Sequence, residues 1–446
     1  MAEKKREKKQ AENQKHTANR SGKTVSPGIL KVAVAAASDR YNFGDVLLPI
    51  VFEQYLKRAV LKRGERREIQ VSQFALFNAD LTSVGGMKVR ALSKADSSYD
   101  CVVIAGGEVL AAGYITMHLS TGPGKALTAA ERLLRKIPLT RPLLERFLQK
   151  AVCRRDNAGM PWMYHPLRPD QKVFYNAVGG AGFAANPERA RKEWKEVISS
   201  SAMFSVRDRK TLDGLNQSGI TRSSSGEIEM IPDTAIVMDF FYTDEVLRRE
   251  VRQEYMELAG KDYFVLQVSN NIGRNILDEV GRAVKTVCEE QNLRCVLLPI
   301  GRAARHDDII PLSALHRRLP GITTLIGENN ISETIWIISR AKFYIGSSLH
   351  GAITAMSFHT PHTALTRESG KLRSYLEQWE TTACPCVDSA GEIAAFADRA
   401  LHDPSVIDCG QIDAMKKTVE DWLDRVAGKC LEQDQQQQSA ETGENN

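Results

Sequence analysis

Residues 29–37 read ILKVAVAAA, an apolar run interrupted only by Lys31. A strand with one wet face alternates polar and apolar residues, whereas an almost unbroken apolar run marks a strand covered on both faces. Such strands belong to parallel sheets flanked by helices. Ser38 to Asp45 then forms a loop containing Gly44, and a helix is expected from about Val46 to Arg63. A strand, a glycine-containing loop and a helix make the opening of a Rossmann-like unit. The loop has no G-x-G-x-x-G, so a dinucleotide pyrophosphate site is not indicated.

The same rhythm recurs along the chain. Strands are expected at Glu68 to Leu76, Asp100 to Ala105 and Val173 to Gly180, the second ending in Gly106-Gly107. Glycines at a strand's C-terminal edge let backbone approach a ligand closely, and a tight turn is the competing reading. Glu229 to Met238, with Pro232-Asp233 inside it, closes the first half, and 240–260 reads as a charged helical connector. A second series of strands follows at Tyr263 to Val268, Cys295 to Pro299, Thr323 to Ile326, Lys342 to Ile345 and Thr363 to Leu365, with helices between most of them. Two alternating series imply two doubly wound parallel sheets facing a cleft. The expected organisation is a disordered basic tail (1–28), an N-terminal Rossmann-like domain (29–240) and a C-terminal one (241–410). A helix (411–431) and a disordered polar tail (432–446) complete the chain.

Residues 112–170 interrupt the first series. Between Glu131 and Arg155 stand eight basic residues (Arg132, Arg135, Lys136, Arg141, Arg146, Lys150, Arg154, Arg155) against Glu131 and Glu145, with a leucine-rich apolar stripe. This reads as a surface helical pair packed on the domain, as a peripheral membrane contact through 131–155, or as a cradle for an anionic acceptor. The net charge of +5 over 446 residues is too small to imply nucleic acid. Eight dispersed cysteines without a C-x-x-C pair suggest neither a disulfide framework nor a zinc site, and the cytoplasm is the simplest location. Nothing calls for a metal or cofactor.

The stretch with most chemistry is Lys342 to Ile353, KFYIGSSLHGAI. A short buried strand stops at Gly346, and a helix is expected from Leu349 to Phe358. Ser347 or Ser348 caps it, so the helix's first amides and the imidazole of His350 lie at one sheet edge. Helix N-termini favour anions, and His350 exchanges a proton near neutral pH. A lone surface or packing histidine is the competing reading.

These pieces, taken together, resemble the polysaccharide pyruvyl transferase family. The resemblance rests on Asn42-x-Gly44-Asp45, Val103-Ile104-Ala105-Gly106-Gly107, Val206-Arg207-Asp208, Pro232-Asp233, Ile338-x-x-Ala341-x-x-x-Ile345-Gly346, and Ser348-Leu349-His350-Gly351-Ala352-Ile353-x-Ala355 ending in Pro361. It implies a GT-B-like fold and transfer of the enolpyruvyl unit of phosphoenolpyruvate to sugar hydroxyls of an exopolysaccharide or cell-surface glycan precursor. On that implication His350 is the acid or base. Arg207, Ser348, Leu349, Lys371 and Arg305 serve the donor, with Arg302 and His306 as weaker candidates. Asn42, Gly44, Asp45, Gly106 and Gly107 line the acceptor side. Ion pairing with Asp208 or Asp233 is the competing role for Arg207, and complementing the helix dipole is that for Asp45. Where the family motif carries arginine this chain has Ser348, which exchanges a charged, two-pronged donor for one neutral hydroxyl. A glycosyltransferase using a nucleotide sugar on the same architecture, and a non-catalytic relative, are the alternative readings.

Overall fold

The computed structural model describes residues 28–64, 67–121, 140–152, 160–303, 307–365, 370–381 and 386–432. Both tails, part of the 112–170 insertion, and Arg305 and His306 lie outside the described residues.

Leu30–Ala35 sits mid-sheet, between Cys101–Ile104 and Ile69–Ala75, and five of its six residues are buried. From one edge the sheet runs Glu229–Met230, Met203–Val206, Lys172–Gly179, Cys101–Ile104, Leu30–Ala35, Ile69–Ala75, Lys88–Ala91, Ala79–Asp80. Only the last pair is antiparallel. The second sheet is entirely parallel, in the order Thr323–Leu325, Arg294–Leu297, Tyr263–Gln267, Tyr344–Gly346, His362–Leu365, Cys386–Val387. Parallel order requires crossovers, which the intervening helices supply on both faces.

Four segments differ from expectation. Residues 229–238 are not one strand: pairing stops at Met230, Pro232 cannot donate to a ladder, and Asp233 caps a 3₁₀ helix, Thr234–Phe240. The first helix begins earlier, at Phe43, so Gly44 and Asp45 belong to its first turn. Helices at Gly370–Trp379 and Ala390–His402 were not anticipated.

The two halves share one core. Residues of both sheets, the Phe43–Lys62 helix and the C-terminal Cys409–Leu431 helix pack into a single apolar cluster. That last helix returns to the first half, where Tyr55 donates to Asp424 and Lys172 to the carbonyl of Lys429. At the cleft, Phe43 N–H donates to the Ile300 carbonyl at 3.4 Å, and Tyr41 donates to the Asn329 carbonyl at 3.1 Å. No described helix is long and apolar enough to cross a membrane.

Candidate active site

Each loop that meets at the cleft leaves the C-terminal end of a strand, where open α/β sheets gather their chemistry. After Tyr344–Gly346 the chain turns through Ser347 and Ser348. Ser347 Oγ accepts from Ser269 N–H, which ties the turn to the next strand's edge. Ser348 is the cap: its Oγ accepts from Gly351 N–H at 3.3 Å, so the Leu349–Ser357 helix starts with Leu349 and His350 at its open end. Ser348 therefore gives an oxygen lone pair to the helix.

The His350 imidazole spans the cleft. Its Nε2 lies 3.5 Å from Asp233 Oδ2, a long contact, and Nδ1 abuts Gly44 of the first half, where any Cβ would overlap the ring. The Asp233 carboxylate faces Nε2, which is buried without a closer hydrogen-bond partner among the described residues.

Asp233 is fully buried and also receives Arg207 Nη1 at 2.7 Å. Burial alone would raise its carboxyl, but His350 and Arg207 hold it below the usual carboxylate range. Arg207 is 1 % exposed and reaches Glu108 Oε2 at 3.3 Å with its other arm. Burial disfavours its charge, yet Asp233 and Glu108 raise its pKa further. Arg207 makes the competing ion pair, with Asp233 rather than Asp208. Asp208 instead caps the following helix through Thr211 N–H. Arg207 thus braces two carboxylates, Asp233 and Glu108.

Glu108 was missed in the sequence. Gly106 and Gly107 adopt φ of 121° and 87°, which residues with side chains rarely tolerate, and this turn projects Glu108 into the cleft. Its Oε2 meets Lys371 Nζ at 2.7 Å and its Oε1 accepts from Ala181 N–H at 2.9 Å. Burial would raise Glu108, but Lys371 and Arg207 bring it down to about 2. Lys371 keeps 43 % of its side chain exposed with its ammonium on Glu108. Desolvation of that ammonium, with Arg207 beside it, lowers its pKa despite Glu108.

The Gly370–Trp379 helix that carries Lys371 also fastens the other two charges. Asp233 N–H donates to Tyr375 Oη and Trp379 Nε1 donates to the Arg207 carbonyl, both at 3.0 Å. Its apolar positions Leu372, Tyr375, Leu376 and Trp379 follow i, i+3, i+4, i+7, a signal that was present in the sequence.

Asn42 and Asp45 face the same space. Asn42 Nδ2 donates to Asp45 Oδ2 at 2.7 Å, and Asn42 bridges to Gly301 across the cleft. With Arg40, Glu108, Thr116, Met117, Ser120 and Trp162 they help line a cavity of about 280 Å³. Arg302 turns elsewhere, onto Gly327 and Asn329. No cluster of three His, Cys, Asp or Glu suited to a metal occurs among the described residues.

The architecture is that of a GT-B-like α/β protein. UDP-GlcNAc 2-epimerase from Neisseria meningitidis, solved bound to UDP-GlcNAc, superposes with a TM-score of 0.50 at 10 % identity, covering 90 % of this chain and 100 % of that one. The S. aureus MnaA-UDP co-structure gives 0.50 at 11 % identity, covering 90 % and 94 %. At such identity the likeness concerns fold alone. Residues 156–369 match the family model described as polysaccharide pyruvyl transferase. No curated protein matches it in sequence. The matched stretch contains Arg207, Asp233 and His350, whereas Glu108 and Lys371 lie outside it. The family supports a transferase of polysaccharide biosynthesis.

Proposed function

We propose that the protein transfers the enolpyruvyl unit of phosphoenolpyruvate to two hydroxyls of a sugar, forming a pyruvate ketal. The observation that carries this reading is the convergence of His350 and Lys371 on the Glu108–Arg207–Asp233 cluster, with loops from both sheets surrounding it. The donor carries a phosphate and a carboxylate. Lys371 has three donors and gives one to Glu108, so two remain for those anionic oxygens. The open turn at Leu349 and His350 adds helix amides.

The chemistry needs one proton delivered to the methylene carbon while a sugar oxygen adds to its neighbour. His350, oriented by Asp233, supplies that proton and then accepts the one released by the attacking hydroxyl. Phosphate leaves with the C–O bond electrons, neutralised by Lys371, and the second hydroxyl closes the ketal as its proton passes to the departing phosphate. Asn42 and Asp45, on the cavity wall, face the acceptor. Arg207 positions Glu108 and Asp233 and touches neither substrate.

The test is acceptor-dependent phosphate release from phosphoenolpyruvate. His350→Ala is expected to lower it about 10²–10⁴-fold with circular dichroism unchanged. Lys371→Ala should weaken thermal stabilisation by phosphoenolpyruvate. Stabilisation by a sugar nucleotide but not by phosphoenolpyruvate would select the glycosyltransferase reading instead.

A further inference from the structure

Among the described residues six large apolar side chains stand exposed, and Ile29, Leu61, Leu167 and Ile310 are scattered along the chain. Scattered apolar residues are ordinary on any surface. Leu143 and Phe147 are not scattered. They lie one turn apart on the Thr140–Phe147 helix, 65 % and 61 % exposed. Exposed Arg146 and Lys150 fill the remaining places of the same i, i+3, i+4, i+7 stripe. The opposite side is held: Leu148 is buried in the core beneath the first sheet, Leu144 packs against it, and Glu145 accepts from Ile115 N–H at 3.3 Å. The exposed stripe thus belongs to a docked helix. The Tyr114–Ser120 helix beneath it presents Thr116, Met117 and Ser120 to the 280 Å³ cavity that also contains Asn42, Asp45 and Glu108.

We propose that this stripe is a docking surface for an anionic lipid bilayer. Leucine and phenylalanine suit the boundary between headgroups and acyl chains, while arginine and lysine at the same level meet lipid phosphates. The charge of the surrounding sequence fits the same partner, with eight basic and two acidic residues from Glu131 to Arg155. A second copy of the chain fits poorly. An isologous contact would bring Arg146 and Lys150 of both copies onto one small patch, and two apolar side chains fall far short of the roughly 800 Å² per partner of a stable interface. Docked this way, the cleft cavity lies one helix behind the bilayer surface.

The experiment is flotation of the full chain with phosphatidylcholine vesicles, with and without phosphatidylglycerol. Binding is expected to the anionic vesicles alone and to weaken with added salt. Leu143→Ser/Phe147→Ser is expected to bind at least about tenfold less well, as is Arg146→Glu/Lys150→Glu. Both should keep the wild-type thermal response to phosphoenolpyruvate, so loss of vesicle binding is separable from loss of the catalytic reading. No wild-type binding would overturn the proposal. So would binding that survives Leu143→Ser/Phe147→Ser, which would assign it to other basic segments, or a wild-type dimer that this variant dissociates.

Discussion

The imidazole of His350 occupies the space that a side chain at Gly44 would need, so one residue from each half of the molecule sets the position of the other. Gly44 lies in the first turn of a helix, where alanine would ordinarily add up to about 1 kcal/mol of stability. Here the sign reverses. Gly44→Ala must push the ring off Asp233 or the two halves apart, an overpacking cost of about 1–3 kcal/mol. Turnover is expected to fall at least about tenfold, because the ring is carried away from its working position. Steady-state kinetics and a melting curve on one preparation check both signs.

Arg207 makes a prediction about stability. It is buried between Asp233 and Glu108, and removing one partner of a buried ion pair leaves uncompensated charge. Arg207→Met should lower unfolding stability by about 3–5 kcal/mol, measured by urea titration. Arg207→Lys should recover only part of this, since an ammonium cannot span both carboxylates as the planar fork does.

That brace also shows what the sequence could reveal. The alternation of apolar runs and helices was plain because parallel strands are covered on both faces, and the turn at Ser347-Ser348 was located to within one residue. Glu108 was invisible because its neighbours are set by chain crossings about 70 and 260 residues away, through Ala181 and Lys371. For Arg207, a guanidinium beside aspartates is compatible with ion pairing or with anion binding, and only burial decides between them. Asp233 was absorbed into a strand because apolar residues flank it on both sides, yet Pro232 carries the local information that breaks the ladder.

Acid and near-neutral pH report different carboxylates. Glu108 is depressed to about 2 in the folded chain against roughly 4.3 unfolded. Its stabilisation is therefore complete above the unfolded value and is lost as pH falls toward 2. Asp308 is the opposite case. Its Oδ2 accepts from Gly301 N–H, Gln267 and Ile300 N–H, but burial outweighs them and pushes it up to about 6. The folded state then holds its proton more tightly, so this contribution is largest below about 4 and fades as pH rises to 6. Glu108→Gln should flatten the stability profile below about pH 4.5, and Asp308→Asn should flatten it between about 4 and 6. Urea midpoints across that range test each window separately.

The C-terminal helix reaches the site through a chain of buried hydrogen bonds. Trp422 Nε1 donates to Asn176 Oδ1 at 2.7 Å, and Asn176 Nδ2 donates to Thr234 Oγ1 at 3.2 Å, next to Asp233. All three residues are buried. Trp422→Phe keeps most of the apolar volume but removes the donor and strands the amide oxygen, at a cost of about 1–3 kcal/mol. Trp422→Ala also opens a cavity, and about 3–5 kcal/mol is expected. If the chain of bonds positions Asp233, Trp422→Phe should also lower kcat for phosphate release while leaving KM for the donor nearly unchanged. An unchanged kcat with the expected loss of stability would confine this helix to holding the two halves together.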